Sequence, residues 1–156
     1  MTELPSKMLV INEWLFQDIK GENGQTKRQE TGIFLTQFAQ GQDKFAVLTG
    51  NPWMQKAYEL MTYSAPDIRE LSKLVRSLII NPSKCVILQP GDAENSAPQD
   101  AIDAAPEEDI YLIQTYYASN ADLLITTDKG LLEAFKSHQD IEVVHRDTFL
   151  DDYLNS

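Results

Sequence analysis

Short apolar runs alternate with longer segments of helical periodicity along this chain, and the alternation limits the folds that it can adopt. Apolar runs at 8–11, 84–88, 123–126 and 141–144 predict short buried strands, and 45–48 fits either a strand or a helix end. Buried strands of this kind, separated by helices, predict a parallel α/β sheet with helices on both faces.

Helix signals fall between these runs. Asn51 and Pro52 pair an N-cap residue with proline at the first helical position. Pro66 opens a helix whose apolar residues recur three and four positions apart. The segment 90–106, rich in Ala, Asp and Pro, predicts an acidic loop. Helices are predicted over 14–19, 31–40, 52 to about 63, 66–79, 106 to about 118, 128–136 and 149–154.

Length and charge restrict the function classes. The 156 residues predict a single domain spanning 1–156. With 13 Lys and Arg against 24 Asp and Glu, the net charge of -11 argues against a function that rests on a broad basic surface. Enzymes that hold divalent cations need concentrated carboxylates, so an acidic chain can still act on nucleic acid.

The chain lacks the usual signals for export or membrane insertion. No apolar run approaches the roughly 20 residues of a membrane helix, and the first five residues lack the basic start of a secretory signal. We therefore expect no membrane association and a cytoplasmic location. The lone Cys85 forms no internal disulfide and is expected to pack in the core.

Polar residues follow two of the predicted strands. Asn12 and Glu13 come after the first strand, and Asp128 follows the strand at 123–126. Right-handed crossovers would make these strand ends neighbours at a switch point, where parallel sheets bind ligands. A carboxylate from the helix that starts near Asp109 could close a cluster. Alternatively, Asp109 complements a helix dipole and Asp128 is an ordinary N-cap.

Three segments resemble one protein family. Residues 106–114 and 121–132 combine an acidic helix start with a strand that ends in Thr-x-Asp, and 8–14 matches an opening strand followed by an Asp-x-Asn turn. The chain resembles the PIN-domain ribonucleases, which include VapC-type toxins, and the order of elements fits across nearly its whole length. The resemblance implies a three-layer PIN-like fold with a central parallel sheet of four or five strands.

The resemblance also implies a chemistry. Clustered carboxylates would bind one or two Mg²⁺ or Mn²⁺ ions and hydrolyse phosphodiester bonds of RNA. Asp109 and Asp128 match the family's helix-start and Thr-x-Asp carboxylates. Asn12 stands where the family usually has Asp, and Glu13 is expected to restore the missing charge. The implied role is that of a toxin, with an antitoxin protein as partner and a homodimer as the assembly.

The remaining predicted contacts are weaker matches. The family's middle-helix acid is assigned to Glu59 as a metal ligand, with Glu70 as the alternative. Lys129 is predicted to contact a phosphate, and Trp14 to stack on a base unless it packs against the sheet. The basic pairs at 27–28 and 145–146 are expected to be solvated at the surface.

Two other function classes compete with a nuclease. A catalytically degenerate PIN-like module would bind RNA or a protein without metal, because Asn12 removes one charge. A receiver-like signalling domain also carries acids at strand ends, but its middle strand should end in an aspartate. Here that strand is followed by Gln89, so this alternative is disfavoured.

Overall fold

A computed structural model describes residues 6–63 and 65–155. Within them the chain forms a three-layer α/β fold around one all-parallel sheet of five strands. The predicted fold class is thereby confirmed. The strands are β1 (Met8–Ile11), β2 (Lys44–Leu48), β3 (Cys85–Leu88), β4 (Leu123–Thr126) and β5 (Val143–His145), in the spatial order β3-β2-β1-β4-β5.

Helices connect the strands in the described part of the chain. A single 3₁₀ turn, Glu107–Asp109, leads into α7. The helices are α1 (Trp14–Ile19), α2 (Gln25–Gln40), α3 (Pro52–Leu60), α4 (Pro66–Ile79), α5 (Pro90–Ala93), α6 (Gln99–Ala104), α7 (Ile110–Ala118), α8 (Lys129–Ala134) and α9 (Arg146–Leu154).

Alternate residues of each strand face opposite sides of the sheet, which creates two cores. Leu9 and Ile11 pack on one side, in a cluster that includes residues of α1, α2, α3, α4 and α9. Val10 and Leu124 pack on the other side, with residues of α6, α7 and α8. Because the inner strands β1, β2 and β4 are covered on both faces, their sequences are nearly continuously apolar instead of alternating.

The strand order reverses between β1 and β4. The chain goes from β1 outward to β2 and β3, then returns to the other side of β1 to form β4. Ile11 pairs with Ile125, so the residues that follow these two strands are neighbours at the carboxyl edge of the sheet. The predicted switch point is therefore confirmed, and it is the place where parallel sheets usually bind ligands.

The acidic segment 90–106 departs from its prediction as a loop. It contains α5 and α6, and the first of these begins at Pro90 with Gln89 and Asp92 forming a capping box. The small residues Ala93 and Ala101 are buried and let both short helices pack against α7. Tertiary packing thus stabilises helices that are too short to be stable alone.

Smaller differences concern boundaries and an ambiguous segment. The stretch 45–48 lies in strand β2, and α2 begins at Gln25, earlier than predicted. The last strand starts at Val143 because Ile141 packs into the core beside α8 instead of joining the sheet. Cys85 is buried as expected, and burial raises the pKa of its thiol to about 12.

In the described residues, no helix is both long enough and apolar enough to cross a membrane. Residues 1–5, on which the expectation about a secretory signal rests, lie outside the described part.

Candidate active site

A hydrogen-bonded chain joins the ends of β1 and β4. The Asn12 side chain donates from Nδ2 to the Thr126 hydroxyl, at 2.9 Å, and the backbone N–H of Asp128 donates to the same oxygen, at 3.1 Å. Asn12 Oδ1 accepts from the backbone N–H of Glu13 at 2.7 Å. Thr126, which is fully buried, therefore fixes both strand ends relative to each other.

Asp128 is the N-cap of α8. Its Oδ1 accepts from the backbone N–H groups of Gly130, at 2.8 Å, and Leu131, at 3.3 Å. Asp128 therefore has the N-cap role that the sequence left open. The two cap bonds also fix the orientation of its carboxylate. Asp128 is half-buried and keeps its second oxygen for other partners.

Asp109 has no such structural role. It closes the 3₁₀ turn ahead of α7, but its side chain makes no capping hydrogen bond. The residue is only 7% exposed, and its buried Oδ2 accepts no hydrogen bond from the described residues. A buried carboxylate oxygen without a donor is unfavourable for folding, which makes Asp109 a candidate ligand for a cation.

Asp109 and Asp128 interact directly. Burial, followed by repulsion from the Asp128 carboxylate, raises the pKa of Asp109 to about 6. The negative charges of Glu108 and Glu13 raise it further, and a side-chain interaction with Asp128 also favours the protonated form of Asp109. A cation next to a buried carboxylate that other negative charges repel would relieve this repulsion.

Two donors bind the Glu13 carboxylate. The Lys56 ammonium on α3 donates to Glu13 Oε2 at 2.8 Å. Tyr111 on α7 also bonds the Glu13 carboxylate, and burial followed by the charges of Glu13 and Asp109 raises the pKa of its hydroxyl. Glu13 thus lies close enough to Asp109 for charge repulsion while its own charge is balanced by a lysine.

The two middle-helix acids lie outside this group. Glu59 and Glu70 are both exposed, and α3 instead presents Lys56 to the site. Lys56 lies in the second turn of α3, which starts at the carboxyl edge after β2, so its position directs it to the end of β1. Among the described residues, no three His, Cys, Asp or Glu side chains are arranged as a ready-made metal site.

Trp14 lies in the core and offers no open face for stacking on a base. It is 2% exposed, and its ring N–H donates to the backbone oxygen of Ile125 at 2.9 Å. The guanidinium of Arg146 lies over its ring, 5.7 Å from the centroid. Trp14 therefore packs against the sheet, as the alternative prediction proposed.

Arg146 is a buried residue and not the solvated basic point expected from the sequence. It is 2% exposed and bonds Asp18, itself buried, at 2.9 Å from Nε. Glu30 and Asp147 accept from its Nη1 at 3.1 and 2.8 Å. The planar guanidinium can satisfy several acceptors at once, which allows burial of a charge that a lysine would leave less well paired.

Lys129 follows Asp128 and is exposed. It lines a cavity of about 690 Å³ between α8 and β5, together with Lys136 and Phe135. The cavity is also lined by Glu133 and Glu142, so its two lysines are offset by two acids, and neither Asp109 nor Asp128 lines it.

Sequence reasoning named Asn12, Glu13, Asp109 and Asp128, and the structure brings all four to one edge of the sheet. The predictions from the sequence missed Lys56, Tyr111 and Thr126. Thr126 could have been found as the first residue of the Thr-x-Asp motif, whereas Lys56 and Tyr111 carry no motif. Comparisons with protein-family models, with curated proteins and with solved structures found no match.

Proposed function

We propose that this protein is a divalent-metal-dependent endoribonuclease with a PIN-like fold, acting at the Asp109 and Asp128 carboxylates. The observation that carries the proposal is the buried Asp109 Oδ2, which has no donor among the described residues and belongs to a carboxyl group that the Asp128 carboxylate repels. A site that is short of positive charge at neutral pH has the electrostatics that favour a cation.

The residues present fit a hard divalent ion. Asp109 and Asp128 would hold Mg²⁺ or Mn²⁺ through carboxylate oxygens, which these ions prefer. Glu13 would join them once its bond to Lys56 is released, and Asn12 would orient the site through Thr126. Such an ion supplies a water activated for attack on phosphorus and a positive charge for the leaving oxygen.

The protein's own side chains supply position and charge. The α8 cap fixes the Asp128 carboxylate, so the group needs little reorganisation on binding a ligand. Lys129, exposed and directly after Asp128 in the chain, would bind a backbone phosphate. The chain is strongly acidic overall, so its net charge repels RNA at long range. Lys129 has to offset this repulsion locally.

A catalytically degenerate binding module is the second candidate. The observation that favours it is the pairing of Glu13 with Lys56, combined with the use of both Asn12 polar atoms inside the protein. In that case the RNA or a protein partner would bind without metal. Both candidates use the same fold and differ in whether the aspartate pair takes up an ion.

Calorimetric titration of Mn²⁺ at neutral pH separates the two candidates. The wild-type protein should bind the ion saturably, and the double variant Asp109→Asn plus Asp128→Asn should not. Asp140→Asn plus Asp103→Asn removes the same charge from exposed positions and serves as the control. A folded wild-type protein that releases no heat would contradict the enzyme proposal and leave the binding module.

Cleavage of labelled single-stranded RNA then tests the activity itself. Turnover should require Mn²⁺ or Mg²⁺ and should disappear in Asp128→Asn. Retained cleavage by that variant would exclude the proposed site. The toxin role and the antitoxin partner are part of the same proposal, and expression of the wild-type protein should arrest growth while Asp128→Asn should not.

A further inference from the structure

The bond between Lys56 and Glu13 is a partly exposed ion pair. Both side chains are partly exposed, 39% for Lys56 and 25% for Glu13. Ion pairs at this exposure contribute little to stability, because water already solvates both charges well. Glu13 has a second donor in Tyr111, so its orientation does not depend on the lysine alone.

The position of the Lys56–Glu13 pair indicates more about its role than its contribution to stability does. Glu13 follows β1, and its charge is close enough to Asp109 to raise that residue's pKa. Lys56 approaches from α3, on the side of β2, and places an ammonium at the edge of a group of three acids. The site therefore contains a cation of its own before any ion arrives.

The charges of the three acids indicate a role for the Lys56 ammonium. Glu13, Asp109 and Asp128 carry three negative charges when ionised, and Lys56 offsets one of them. One divalent ion balances the remainder. When such an ion takes the Glu13 carboxylate, the ammonium loses its partner but keeps its long, flexible stem and three donors. A phosphate is the natural acceptor beside a bound divalent ion.

We propose that Lys56 is an exchangeable cation of the active site, which pairs with Glu13 in the free protein and binds the substrate phosphate once a divalent ion has taken Glu13. This inference rests on the proposed nuclease function and adds a substrate-binding residue to it. It assigns opposite effects to Lys56 at two steps: the lysine competes with metal binding and supports RNA binding.

The test uses Lys56→Gln, which removes the charge and keeps a hydrogen-bonding stem. Mn²⁺ affinity is measured by calorimetry, and affinity for a labelled single-stranded RNA is measured with Ca²⁺ in place of a catalytic ion. Lys56→Gln should bind Mn²⁺ about tenfold more tightly, because a positive charge next to the ion is gone. It should bind RNA about tenfold more weakly, with a log–log salt slope shallower by about 0.7.

Two further variants control the result. Lys56→Arg keeps the charge and should stay within about threefold of wild type in both assays. Lys27→Gln removes a lysine with the same 39% exposure that pairs with Asp147, and should change neither affinity. A merely structural role for Lys56 would weaken both affinities together and lower the melting temperature, which would overturn the inference.

The outcomes also separate this inference from the proposed function. If wild type binds Mn²⁺ and Lys56→Gln binds it no more tightly, the role of Lys56 is wrong and the nuclease proposal stands. If wild type binds no Mn²⁺ and Lys56→Gln does, the lysine blocks the ion, which supports the competition and contradicts a metal-dependent wild-type enzyme. If neither protein binds Mn²⁺, both proposals fail.

Discussion

The Asp128 carboxylate repels the buried carboxylate of Asp109, so an acid from the start of α7 and an acid that caps α8 are electrostatically coupled. Burial and repulsion raise the pKa of Asp109 to about 6, and its Oδ2 has no donor in the described part of the protein. The pair is therefore unfavourable for the metal-free fold at neutral pH, as expected of groups that serve a ligand and not stability.

Asp109→Asn should stabilise the metal-free protein at neutral pH. A folded-state pKa above the unfolded value makes wild-type stability fall as pH rises from about 4 to 6 and stay constant above it. The gain of the variant should be near zero at pH 4 and reach about 1–3 kcal/mol at pH 8. Urea unfolding in EDTA measures it, with Asp140→Asn as the exposed control. A variant less stable than wild type at pH 8 would contradict this account.

Asn12→Asp should strengthen metal binding. The added charge lies at the end of β1, and the Thr126 hydroxyl can rotate to donate to the new carboxylate. Mn²⁺ affinity should rise by about tenfold or more, while the metal-free protein loses stability. Asn81→Asp adds the same charge at the opposite edge of the sheet, where the carboxylate can still accept from Ser83, and should leave calorimetric affinity unchanged.

Asp128 combines two roles that substitutions can separate. Asn is as good an N-cap as Asp, so Asp128→Asn should be at least as stable as wild type in EDTA. Asp128→Ala removes the bonds to Gly130 and Leu131 and should cost about 1 kcal/mol relative to the Asn variant. Both variants should lose Mn²⁺ binding. Equal stability of Asn and Ala at this position would show that the cap contributes nothing.

Arg146→Leu should be among the most destabilising single changes. It leaves Asp18, which is 0% exposed, with an uncompensated buried charge, at a cost of about 3–5 kcal/mol. Adding Asp18→Asn should recover part of the loss, because Thr31 can still donate to the new side chain. Urea unfolding of the single and double variants measures the coupling. The exposed Arg76→Leu, in the last turn of α4, should change stability by less than about 1 kcal/mol.

The structure and the predictions from the sequence agree best where local chemistry decides the conformation. Asn51 and Pro52 start α3 as predicted, because an extended residue followed by proline is compatible with a helix start. The segment 90–106 was wrongly predicted as a loop, since its short helices depend on contacts with α7 that no local pattern reveals. Ile141 looks like a strand residue for the same reason: its burial is decided by α8 and not by its neighbours in sequence.

The candidate site also contains residues that the sequence could identify and residues that it could not. Asn12, Glu13, Asp109 and Asp128 could be named from the sequence because each occupies the end of a strand or the start of a helix, and parallel topology brings such positions to one edge. Lys56 could not, because its role depends on how α3 packs against β2 and so approaches the end of β1. Glu59, three positions further, points to solvent although it looked equally suitable.

The sequence by itself determined the parallel α/β sheet, the switch point between β1 and β4, and the residues at its carboxyl edge, because strand burial and crossover handedness follow from local patterns and chain chirality. The tertiary structure decided which of those residues interact. Three interactions join distant parts of the chain: the pairing of Glu13 with Lys56, the repulsion between Asp109 and Asp128, and the burial of Arg146 on Asp18. Electrostatic interactions depend on distance and burial, and only the folded chain sets both.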